Sequence, residues 1–186
     1  MKNYKRYFLL ITFITSLTFI LNGCIVFHKV SYNVKLDTPT SGSVKVTAYD
    51  MRSNATSNQE FEQDKNNLFQ YMLKSQDFVN AQKSQGKNIT SRKLSLKDGK
   101  LIGTGIYKFT DINKVEGIKY DGGFHYLNLN LDDSVMATNG EVVRSKGYKR
   151  IMWDSTYKEL KFTMFSFSFE KNNYRPLAPY YKSDKK

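Results

Sequence analysis

The sequence predicts an α+β fold: a single antiparallel sheet of six to seven strands, in the order ββ-α-ββ-βββ, with one long helix packed on one face. Three observations carry this expectation. Alternating apolar and polar runs recur between glycine-bearing turns, which is the period of half-buried strands. One stretch, residues 57–86, instead repeats its apolar side chains at helical spacing. The short links between the runs leave no room for the crossovers of a parallel doubly wound sheet.

Before the first strand the chain opens on Lys2, Lys5 and Arg6, followed by the uncharged run 8–20 (FLLITFITSLTFI). Such a run has the length of a signal-peptide core and falls short of the roughly 20 residues that a spanning helix needs. Leu21, Asn22, Gly23 and Cys24 come next. This stretch resembles the lipobox of bacterial lipoproteins, and the resemblance covers residues 1–24 only. It implies cleavage between Gly23 and Cys24 and a diacylglyceryl group on the Cys24 thiol. It also implies a place in the cell envelope, on a bacterial membrane facing the periplasm or the cell surface. Each buried methylene of such an anchor contributes about 0.8 kcal/mol, so two chains hold firmly. The expected organisation is a signal peptide (1–23), a lipidated cysteine with a short tether (24–28), a single α+β domain (29–182) and a disordered tail (183–186).

Composition narrows the rest. Removal of the leader takes away three positive charges and no acids, so the net charge of +12 falls to about +9. Cys24 is the only cysteine, so neither a disulfide framework nor a cysteine metal site is open to the domain. Thirteen phenylalanines and thirteen tyrosines supply core material. The basic balance favours anions such as lipid head groups or polysaccharide; the envelope location argues against nucleic acid. Lysines also serve simply as solubilising surface residues.

In chain order, residues 29–37 (KVSYNVKLD) and 43–50 alternate around the turn chemistry of Pro39 and Gly42, forming a first hairpin. Ser57 and Glu60 have the spacing of a capping box, and Phe61, Leu68, Met72 and Val79 then share one helical meridian, with Gly86 as the stop. Ser75 offers a second cap, so a bend near residue 75 is open. Asp98-Gly99 marks a two-residue hairpin between residues 88–97 and 100–110. Gly103 and Gly105 inside the return strand indicate a bulge or a close approach by another group. Residues 111–120 read as a connection with one turn of helix, and 124–131 as a further strand. Residues 132–140 read as a polar loop. A strand at 148–153 and a long aromatic one at 158–170 follow. In the last, Leu160, Phe162 and Met164 share one parity and Phe165, Phe167 and Phe169 the other. Either both faces are buried or a bulge near Met164 resets the phase.

Chemistry is sparsely represented. His125 stands alone within a strand, and no nucleophile elbow, zinc-protease, Walker or dinucleotide motif is present. The chain is therefore read as a non-enzyme with no cofactor and no metal site. The basic run Arg144, Lys146, Lys149 and Arg150, interleaved with Tyr148 and Trp153, is the candidate anion site, since cations beside aromatic faces suit anionic sugars or head groups. The functional expectation is a lipid-anchored, non-enzymatic binding or assembly module of the cell envelope. Its partners would be the membrane through Cys24 and an envelope protein, anionic lipid or polysaccharide. The alternative expectation is a carrier or sensor of an amphiphile held between helix and sheet.

Overall fold

The structure is a computed structural model that describes residues 25–131, 133–166, 169 and 171–182. Its first hairpin joins β1 (Ile25–Leu36) and β2 (Gly42–Ser53), paired antiparallel from Leu36↔Gly42 to Ile25↔Ser53. Residues 25–28, expected as a tether, thus continue β1, because the far end of β2 offers them backbone partners. The lipidation and cleavage residues Cys24 and Gly23 lie outside the described residues, as does the tail 183–186.

The capping box forms as expected. Ser57 Oγ accepts from the Glu60 N–H at 3.2 Å, and the Glu60 carboxylate accepts from the backbone of Ser57 at 3.1 Å and Thr56 at 2.9 Å. These bonds satisfy amides that α1 (Asn58–Asn66) would otherwise leave orphaned. The helical path then widens into a π turn at Asn67–Met72 and breaks. It restarts as α2 (Gln76–Ser84), capped by Ser75 Oγ on the Asp77 N–H at 3.0 Å. The Arg92 guanidinium donates to the carbonyls of Met72, Lys74 and Ser75, which the break has freed.

β3 (Asn88–Lys97) and β4 (Lys100–Phe109) form the hairpin predicted at Asp98-Gly99. Both turn residues have positive φ, 52° and 72°, as a type I′ turn requires. A single helical turn at Ile112–Lys114 leads to β5 (Ile118–Asp121), β6 (Phe124–Leu129), β7 (Ser134–Thr138), β8 (Glu141–Arg144), β9 (Lys149–Trp153), β10 (Glu159–Phe165) and the short β11 (Arg175–Pro176).

These strands form two sheets, which corrects the expectation of one sheet under one long helix. The larger, seven-stranded sheet runs β3-β4-β2-β1-β10-β7, with β11 beside the end of β2; the smaller has four strands, β5-β6-β9-β8. The physical reason is that the large sheet has one apolar face wider than the helical stretch can cover. On part of it, Val34, Val44, Tyr107, Phe109, Leu160 and Phe162 meet Ile118, Leu127, Ile151 and Trp153 of the small sheet. On the rest, Met51 and Leu101 meet Phe61 and Leu68 of the helical stretch and Leu177 and Ala178 of the tail. Such burial stabilises by about 25 cal/mol per Å² of apolar surface.

The segment expected as a polar loop at 132–140 contributes β7, paired with β10 at the sheet edge. Of the two alternatives for the last strand, a bulge near Met164 is not found in β10: its pairing with β1 runs unbroken from Lys35↔Glu159 to Lys29↔Phe165, and the register shift at Thr163/Met164 falls on the facing β7, where Met136 is the extra residue. The approach inferred at Gly103 also has an owner. A Cβ there would stand 2.7 Å from Met51 Sδ, so the glycine admits a core side chain of the neighbouring strand. All the elements described lie between Ile25 and Tyr180, and the residues of both core clusters lie between Ile25 and Tyr181.

Candidate functional site

Strand alternation sends Tyr32 and Val34 to the core and their neighbours to the opposite, open face of the large sheet. There the register sets Ser31 between Thr47 and Thr163, and Asn33 between Lys45 and Lys161. A groove of about 480 Å³ follows these rows. Its floor is rich in hydroxyls: Ser31 Oγ and Thr163 Oγ1 are hydrogen-bonded at 2.9 Å. Asn33 Oδ1 is buried and accepts no hydrogen bond among the described residues. Lys161 pairs with Glu159, which Lys35 also approaches at 3.6 Å. Lys45 is exposed and makes no ion pair among the described residues.

A second hollow of about 480 Å³ lies where β1 and β2 approach the chain's N-terminal side, lined by His28, Asp50, Arg52, Lys100, Phe169 and Lys171. Its origin is a change of phase in β2. Val44 and Ala48 point to the cores, yet so does Met51, at the opposite parity. Between them Asp50 adopts φ 55°, a left-handed conformation that aspartate tolerates better than most residues. Asp50 and Arg52 are thereby directed to the hollow. Arg52 grips the Asp50 carboxylate with two parallel bonds, Nε to Oδ1 at 3.0 Å and Nη2 to Oδ2 at 2.9 Å. Lys100 Nζ stands 3.4 Å from Oδ2. Burial opposes the charge on Asp50, but the Arg52 hydrogen bonds and the charges of Arg52 and Lys100 outweigh it and hold the carboxyl below its ordinary pKa. The guanidinium also lies 4.8 Å from the centre of the Phe169 ring, and His28 packs on Phe165 and Phe169. Phe169 is buried against these groups, while Phe167 lies outside the described residues.

The basic residues singled out in the sequence are brought together only in part: the β8–β9 register sets Arg144 opposite Lys149, while Arg150, the next residue, faces the other side of the sheet. Lys149 is buried and donates to the Asp133 carbonyl. Arg150 lies 4.3 Å from the centre of the Tyr126 ring and 5.4 Å from that of Tyr148, and donates to Asn128 Oδ1 at 2.7 Å. Arg144 and Lys146 are exposed at and beyond the end of β8. Trp153 is in the core. His125 is buried on Tyr120, and its Nε2 donates to the Pro39 carbonyl at 2.6 Å, so it clasps the first hairpin's turn to the small sheet. Its Nδ1 has no hydrogen-bond partner among the described residues. Among the described residues, no group of three or more His, Cys, Asp or Glu is placed to hold a metal ion, and no helix is long and apolar enough to cross a membrane.

Asp50, Arg52 and Lys100 were missed by the sequence reading. The signal available was the parity change from Val44 and Ala48 to Met51 with an aspartate between them.

The architecture defines an antiparallel two-sheet β protein with a helical strap. No protein-family model, curated protein or solved structure matches the chain.

Proposed function

We propose that this chain is a non-enzymatic binding module of the bacterial cell envelope, held at a membrane by lipid on Cys24, and that it binds a hydroxyl-rich anionic polymer in the groove on the open face of the large sheet. The observation that carries the reading is the makeup of that groove. Hydroxyl and amide groups of Ser31, Asn33, Thr47 and Thr163 line it, with lysines 45 and 161 beside them. Asn33 Oδ1 calls for a donor, because a buried acceptor left without one costs about 1–3 kcal/mol. A sugar hydroxyl supplies such a donor, and an acidic substituent complements the lysines. The leader and lipobox support the location, and the net charge supports the sign of the ligand.

The test is retention of residues 25–182 on immobilised acidic and neutral polysaccharides at low and physiological salt. The chain is expected to be retained by the acidic polymer, with K45E/K161E weakening binding roughly ten-fold. Equal retention on both polymers, or no effect of the double substitution, overturns the reading.

A further inference from the structure

We propose that the hollow beneath Asp50 is a separate anion site that takes a phosphate group. It stands on different residues from the polymer groove and does not depend on that reading.

The first ground is charge. The described residues lining the hollow bring the cations Arg52, Lys100 and Lys171 against one carboxylate, Asp50. That carboxylate is already engaged by Arg52 through Nε and Nη2. It therefore orients the guanidinium and leaves the Nη1 group without a hydrogen-bond acceptor among the described residues. A planar guanidinium fixed along one edge presents its remaining donors in a defined direction, which suits tetrahedral oxyanions.

The second ground is construction. Asp50 holds φ 55° within a twelve-residue strand, at the point where the side-chain phase of β2 reverses. Non-glycine residues in this region cost of order 1 kcal/mol and cluster where a fold directs particular groups to a site. Here the groups directed are Asp50 itself and Arg52. Phe169 backs the guanidinium, so its position is fixed from a second side. The volume, about 480 Å³, admits a phosphate with its organic substituent.

The phosphate has two sources. His28 lies at the fourth position of β1, so an anchor on Cys24 would put the hollow close to phospholipid head groups. A free phosphate or soluble phosphoester offers the same oxygens.

The experiment titrates residues 25–182 with inorganic phosphate and glycerol 3-phosphate by calorimetry, and separately with vesicles of phosphatidylglycerol or phosphatidylcholine by co-sedimentation. K100E/K171E alters two side chains that make no core contact and is expected to weaken binding at least ten-fold. D50N removes the one carboxylate among the described lining residues, keeps an amide oxygen to accept from Arg52, and is expected to strengthen binding, an opposite sign that simple unfolding does not produce. Binding of the soluble phosphates assigns a soluble ligand. Binding of phosphatidylglycerol vesicles alone, with phosphatidylcholine inert, assigns a lipid head group. No binding in either arm, binding indifferent to K100E/K171E, or equal binding to both vesicles overturns the proposal. Because K45 and K161 are untouched, its failure is separate from failure of the polymer reading.

Discussion

Asp50 shows how a single residue joins strain, charge and direction. Its left-handed φ turns the phase of β2, so that Met51 enters the core while Arg52 faces the hollow. Asparagine tolerates the same φ, so D50N isolates the charge from the conformation. The folded-state pKa of Asp50 is depressed below the ordinary value of about 3.9. Its ionisation therefore contributes stability that is fully present above about pH 4 and is lost as pH falls through the lowered folded value. D50N is expected to be destabilised by roughly 1–3 kcal/mol at pH 7. The gap should narrow as the pH falls below 4, in urea unfolding curves followed by Trp153 fluorescence. A gap that is constant from pH 7 to pH 3 would show that the carboxylate's charge is not what stabilises.

At the scale of elements, the decisive stretch is the passage from β7 to β8, where the chain leaves the large sheet for the small one. Asn139 fastens this passage. Its Oδ1 accepts from the Trp153 indole at 2.8 Å and from the Lys161 N–H at 2.8 Å, and its Nδ2 donates to the Glu159 carbonyl at 2.8 Å. One side chain thus ties β9 of the small sheet to β10 of the large. Gly140 follows because a Cβ there would lie 2.5 Å from Trp153 Nε1 and 2.6 Å from the Met152 carbonyl. Asn139→Ala leaves the indole N–H and two backbone groups without partners, and it is expected to cost roughly 2–4 kcal/mol. Asn139→Asp, which keeps the acceptor, should cost less; thermal unfolding of both variants checks the order. In sequence this stretch reads as a polar loop, because asparagine and glycine are turn residues by composition. Only the position of Trp153 shows what they hold. The Ser57 cap and the Asp98-Gly99 hairpin were legible because each is complete within four residues.

For the molecule as a whole, two cores share strands. Val44 and Met51 on β2, and Tyr107 and Leu101 on β4, belong to different clusters. Disruption of one is therefore expected to be felt in the other. Leu68→Ala removes a side chain from the core beneath the helical stretch, at a cost of about 2–5 kcal/mol. The only tryptophan, Trp153, reports on the other core. Its fluorescence transition in urea should move to lower denaturant together with the far-ultraviolet circular dichroism. A Trp153 transition unmoved by Leu68→Ala would mean that the two cores unfold independently.

By itself the sequence determined most of the strands, the antiparallel sense of their hairpins, and the helical stretch with its cap. All are local, set by period, turn chemistry or contiguous composition. Tertiary structure decided that the strands divide between two sheets, that residues 134–138 join the edge of the larger, and that Asp50, Arg52 and Lys100 meet around one hollow. Those outcomes depend on pairings between distant segments. Strands with the same alternation are interchangeable in sequence until the area of apolar face to be covered selects their partners.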